Sequence, residues 1–388
     1  MDNNKVDIKS YKSGAKNKNY PEGLKEVSGD QKKNMLSAGI DPTQKNRSGT
    51  YLQMDHSVIH TGSLYPGLEV MSTAEALKKY EWLDNYFWKL IPCDKDEFTR
   101  EAKENPHHGY FLRALKGTKA VYPLQACLFI NEDNIIQNVH NIIIVEEGAE
   151  LQIITGCAVS SDVHRGLHIG ISEFFVKKGA KLTFTMIHNW AEDVFVRPRT
   201  AALVEEGGQF LSNYICLKPV RNLQMYPQTL LTGRGAVARF SAILFANPAS
   251  HLDVGARVLL KAEDSKAEVI TRAISAGGSI IARGHLKGEA KGIKAHLECR
   301  GLMLAEKGLI HAIPELEGTV AGVSMSHEAA VGKIAKEEIE YLMAKGLSHE
   351  EAQAAIVRGF LDTSIMGLPD ELQKEIDKAI SACEKEVF

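Results

Sequence analysis

The chain lacks the features that would tie it to a membrane, a nucleic acid or an oxidising compartment. No apolar run nears the roughly 18 residues that a membrane helix needs. The opening MDNNKVDIKS carries no apolar core of a signal peptide. A formal net charge of −3 over 388 residues gives no reason to expect nucleic acid or a membrane surface as partner. The expected location is therefore the cytoplasm. There are only six cysteines, Cys93, Cys127, Cys157, Cys216, Cys299 and Cys383. None sits in a C-x-x-C pair, so no zinc clip or redox motif stands, and a disulfide framework is not expected in a large signal-free chain. LTGRGAVARF contains G-x-G without a strand–loop–helix setting or a following Lys-Ser/Thr, so it is no phosphate loop. If ATP is used, a partner must hydrolyse it.

What remains is a globular composition, 44% hydrophobic, with length enough for two or three domains. Residues 1–50 read as a flexible segment, since SYKSGAKNKNY is polar, Lys-rich and short of large aliphatics. In STAEALKKYEWLDNYFW, Ser72 and Glu75 have capping-box spacing and aromatics crowd the segment, so 51–117 is expected to be a helical domain. From about 118 the texture changes to short Val-, Ile-, Phe- and Thr-rich runs. A turn recurs as VEEGA at 145, VKKGA at 176 and VEEGG at 204. Each Gly supplies a positive φ while its charged neighbours stay in solvent. Strands at near-constant interval with no helical pattern between them predict a parallel β-helix over 118–332, a β-sandwich being the competitor. Each coil would bury its apolar side on the next. KEEIEYLMAKG and the S-x-x-E box at Ser348 and Glu351 restore helical periodicity, so 333–388 is expected to be a helical bundle.

Two stretches carry chemistry. SMSHEAAVGKI places His327 and Glu328 where the pattern changes. In a regular strand the two would oppose each other; at a strand-to-helix corner both could line one site. The plain alternative makes Glu328 a solvated helix-entry carboxylate and His327 a surface histidine. Upstream, HLECRGLMLAEKGLIHAIPELEG holds Cys299, 28 residues before His327, with Arg300 beside it and His296 and His311 in the same block. A nearby Arg would favour the thiolate, the form that attacks sulfur and binds metal. Residues 28 apart could sit on adjacent coils. One thiolate, one imidazole and one carboxylate are too few for a four-iron cluster, which takes about four ligands, so a second copy would supply the rest. His107 and His108 could bind a metal only with further ligands.

The C-terminal two-thirds, about residues 118–388, resembles the SufB/SufD scaffold family of SUF iron–sulfur cluster assembly. HLECRGLMLAEKGLIHAIPELEG, SHEAAVGKI and EEIEYLMAKGLSHEEAQAAIVRGFLD carry the likeness. The resemblance implies a right-handed parallel β-helix flanked by N- and C-terminal helical domains, mainly β. It implies a non-enzymatic scaffold with Cys299, Glu328 and His327 as cluster-assembly residues, and His311 and Cys216 as secondary candidates. It makes an internal sulfur-transfer route conceivable. It further implies a transient cluster, [4Fe–4S] by type, with flavin use open. The implied partners are a SufC-like ABC ATPase and a sulfur donor such as a cysteine desulfurase or sulfide. Ser326 replaces the first Glu of the family's E-H-E motif, while Cys299 and Glu328 are SufB-like and AAVGKI is SufD-like. That mixture implies a single scaffold that pairs with itself as a homodimer. Phe360, Leu361, Ile365 and Met366 are expected to face the ATPase. A structural partner of an ATPase, or a β-helix carbohydrate-active enzyme, would be the rival function.

Overall fold

The computed structural model describes residues 6–14, 23–43 and 45–360. The chain is mainly β, a parallel β-solenoid of about 8 turns with short helices at both ends. Two sheets face each other across one apolar interior. The first runs from Ser57–Ser63 and Gly49–Met54 through six further strands to Lys294–Met303 and Ser324–Lys333. The second ends with Ser279–Gly288 and Leu309–Gly318.

The repeated turns set the coil. Val145 pairs with Val176, and Val176 with Val204, in parallel register, which are the 31- and 28-residue steps of the sequence. Gly148, Gly179, Gly207 and Gly235 hold φ of +63 to +67°, a region where a Cβ is costly. Each donates its N–H to the next coil, as Gly179 does to the Glu206 carbonyl at 2.8 Å. The charged neighbours stack as Lys178–Glu206 and Arg234–Asp264 pairs at 3.1 and 2.8 Å. Pro198 and Pro227 lack an N–H, and at each the second sheet divides into two short strands, Asp193–Val196 with Arg199–Val204 and Asn222–Met225 with Gln228–Leu231.

Strand alternation then assigns sides. Phe210, Tyr214 and Cys216 face the interior, whereas Ile215, Ile243 and Ile274 face out. Helix α1 (Gly29–Ser37), capped by Ser28 and Gln31, covers that outer face with Met35. The stretch 51–117 differs from the helical expectation. It holds strands Gly49–Met54, Ser57–Ser63, Leu68–Ser72 and Tyr110–Ala114, with the short helices α2 (Thr73–Lys79) and α3 (Glu97–Glu104) and a 3-10 turn at Glu81–Asn85. Its aromatics mislead because their rings pack on a sheet: Tyr86 meets Phe175 edge-on at 4.7 Å. The Ser72–Glu75 capping box is present. Helices α4 (Lys336–Ala344) and α5 (His349–Phe360) follow the last strand, and Val357 joins the same outer cluster as α1.

The two ends of the solenoid differ. Antiparallel strands Ser57–Ser63 and Leu68–Ser72 close the first coil. Among the described residues, Leu309–Gly318 and Ser324–Lys333 are bonded on one side only, and Leu309, Leu316 and Val331 are 51%, 40% and 47% exposed.

Candidate functional site

Cys299 lies on Lys294–Met303, facing inward between Thr271 and Ala329 of the adjacent coils, and is 2% exposed. The register step to the last strand is 30 residues, so His327 stands opposite Leu297, two positions from Cys299's partner and on the same, inner side. His327 is exposed, and among the described residues no further coil covers it. Glu328 stands opposite Glu298 on the outer side. The strand continues to Lys333, so alternation is never relaxed and no corner brings His327 and Glu328 to one face. Within one chain, Cys299 and His327 share a side and Glu328 does not.

The expected help from Arg300 is absent for the same reason. Its guanidinium lies on the outer face, 2.8 Å from Glu298 Oε1 and 3.6 Å from Glu328 Oε1. Burial pushes the Cys299 thiol up to about 11, and the Glu298 carboxylate adds to the rise. The thiol is therefore protonated at neutral pH. Iodoacetamide labelling of Cys299 in the native chain at pH 8 should run at least about 100-fold slower than that of a free thiol, and should gain about tenfold per pH unit toward 11. Peptide mass spectrometry reads this; full labelling within minutes at pH 7.5 would contradict the buried, protonated thiol.

The remaining candidates scatter. His311 sits in the second sheet opposite Ile281, exposed on the outer side, and does not join Cys299. Cys216 faces inward at 1% exposure, three strands from Cys299, about 14 Å away by strand spacing. It stacks in register with His188, which stacks on Cys157, a column inside the solenoid that the sequence reading missed. His188 bonds the Tyr214 hydroxyl at 2.7 Å, and burial holds its imidazole neutral. A cavity of about 30 Å³ lined by Tyr214, Ala242 and Thr271 lies along this interior. His107 accepts from the Asn138 N–H at 3.1 Å and stacks on His56, and burial lowers it to about 3. Phe360 packs partly on the outer cluster, and its carbonyl accepts from Arg272 at 3.0 Å; Leu361, Ile365 and Met366 lie outside the described residues. The sequence reading passed over the pair His296 and Glu298. Period-two alternation in HLECR already puts both, with Arg300, on the face opposite Cys299.

Residues 128–360 match the family model described as SUF system FeS cluster assembly, SufBD core domain. An iron-sulfur cluster assembly SufBD family protein of Archaeoglobus fulgidus is 51% identical over 360 residues, 93% of this chain and 97% of that one. A SufBD family protein of Methanothermobacter thermautotrophicus strain Winter is 48% identical over 352 residues, 89% and 86% of the two chains. The iron-sulfur cluster assembly protein SufB of Bacillus subtilis is 31% identical over 347 residues, 87% and 74%.

Proposed function

This chain belongs to the SufBD family of iron–sulfur cluster assembly proteins, and from that premise we propose that it is a scaffold on which a nascent cluster, [4Fe–4S] by type, is built between two copies of itself. One observation carries the reading. Cys299 and His327 lie on the inner side of the last two coils, at the end of the solenoid where, among the described residues, both terminal strands are paired on one side only. A single chain offers too few ligands there for a four-iron cluster. Unpaired strand edges accept another strand, and a two-fold contact brings the same residues from both copies together. Glu328, which faces out in one chain, then serves the partner's side or a step before assembly. His311 and Cys216 stay outside the ligand set.

ATP turnover falls to an ABC-type ATPase, since the sequence holds no phosphate loop. Its docking place is the C-terminal helical module. A depression of about 400 Å³ lined by Met303, Leu304, Ile334, Ile339 and Met343 supports this, with Tyr341 62% exposed nearby. Sulfur comes from a desulfurase or from sulfide. None of the five described cysteines is in a disulfide, which suits a reducing cytoplasm. Co-expressed with such an ATPase and reconstituted anaerobically, the chain should elute with it as a two-copy assembly carrying iron and acid-labile sulfide. A strict monomer that still assembles clusters defeats the self-pairing; background iron and sulfide defeat the scaffold.

A further inference from the structure

We propose that His296, Glu298 and Glu328 form a site for one divalent transition-metal ion on the outer face of the first sheet, behind Cys299 rather than with it. Residues i and i+2 of a strand share a face, which gives His296 and Glu298; the register adds Glu328 from the neighbouring strand beside Glu298. One donor atom from each lies within 4.8 Å of the others. No other group of three His, Cys, Asp or Glu donors among the described residues closes to that spacing. Donors about 2.1 Å from one ion stand about 3 Å apart when adjacent and about 4.2 Å apart when opposite, so small side-chain movements complete the site.

The surroundings prepare it. His296 Nδ1 is 2.8 Å from the Ser326 hydroxyl, which fixes the ring and leaves Nε2 free, 4.0 Å from Glu298 Oε2. Ser326 stands opposite His296 in the register, and its hydroxyl orients the imidazole. Arg300 holds Oε1 of both glutamates, so two like charges stand side by side while a cation spans them. Its side chain is 46% exposed and Glu328's is 59% exposed, so both can move when a dication takes over that role. A surface depression of about 400 Å³ reaches His296 and Ser326. One imidazole with two carboxylates suits Fe²⁺, Mn²⁺, Co²⁺ or Zn²⁺ and not a soft ion. The choice of Fe²⁺ among these rests on the scaffold reading; the site itself does not.

The test titrates the untagged full-length chain with Co²⁺ under argon, read by its visible d–d bands, alongside His296→Gln, Glu298→Gln and Cys299→Ala. All three side chains of the site face outward, so circular dichroism should be unchanged in the variants. One Co²⁺ should bind per chain without a thiolate charge-transfer band. His296→Gln and Glu298→Gln should each weaken binding by about 10-fold or more, and Cys299→Ala should leave it alone. Failure to saturate at one equivalent, binding indifferent to both outer variants, or a charge-transfer band that disappears in Cys299→Ala would each overturn the site. Co²⁺ binding as described in a chain that never assembles clusters would sink the scaffold and spare this site.

Discussion

Cys299→Ala should leave the chain folded and nearly empty, with iron and acid-labile sulfide after anaerobic reconstitution at about a tenth of the unaltered chain or less. A thiolate binds iron tightly and can also take the outer sulfur of a donor's persulfide, the donor leaving as its thiolate; alanine does neither. The structural cost is small, about 1 kcal/mol, because one sulfur is lost from an interior row between Thr271 and Ala329 near the open end. The raised thiol sharpens the expectation. Iron must displace a proton from Cys299, so cluster loading should rise with pH in the alkaline range, in step with the thiolate. Glu328→Ala should give partial or altered assembly, since an outward carboxylate that is 59% exposed would make an exchangeable ligand. Cys216→Ala should keep its iron, its thiol being buried about 14 Å away. Should Cys299→Ala load fully while Cys216→Ala fails, the assembly cysteine is Cys216 and the last coils are only an end.

Glu173→Ala should cost about 3 kcal/mol or more, felt first where the 86–91 segment docks on the second sheet. Glu173 is fully buried and accepts from the Trp88, Leu90 and Ile91 N–H groups at 2.7, 2.6 and 3.2 Å. His140 Nε2 is a fourth donor at 2.8 Å. Burial lowers His140 more than the carboxylate raises it, so the imidazole is the neutral Nε2–H form. Removing the carboxylate leaves four donors, two of them buried, without this acceptor. Because the folded state keeps His140 neutral, the unfolded chain binds more protons below about pH 6.5, and stability falls as pH drops through that range. Amide exchange at Leu90 and Ile91, with a urea midpoint, measures the loss. Unchanged protection there would mean that aromatic packing such as Phe87 on His140, 4.5 Å between centroids, holds the segment by itself.

The solenoid was legible because its signal is local. A Gly turn that needs positive φ, repeated at 145, 176 and 204, marks the coil, and alternation marks each residue's side. The same alternation separates Cys299 from Glu298 and Arg300 without any coordinates. The first strands were not legible: Gly49–Met54 is buried at every position, so it shows no alternation, and the aromatics after Ser72 imitate a packed helix. By itself, then, the sequence determined the coil, its turns and the helical periodicity of α4 and α5; the rest of the expected bundle, 361–388, lies outside the described residues. Only the tertiary structure decided what stands beside what. The coil step varies from turn to turn, and the last is 30 residues, so Ala329 rather than His327 meets Cys299 and Glu328 meets Glu298. That register is set by turn lengths and by the packing of whole coils, interactions between residues far apart in the chain, and no local pattern of residues encodes it.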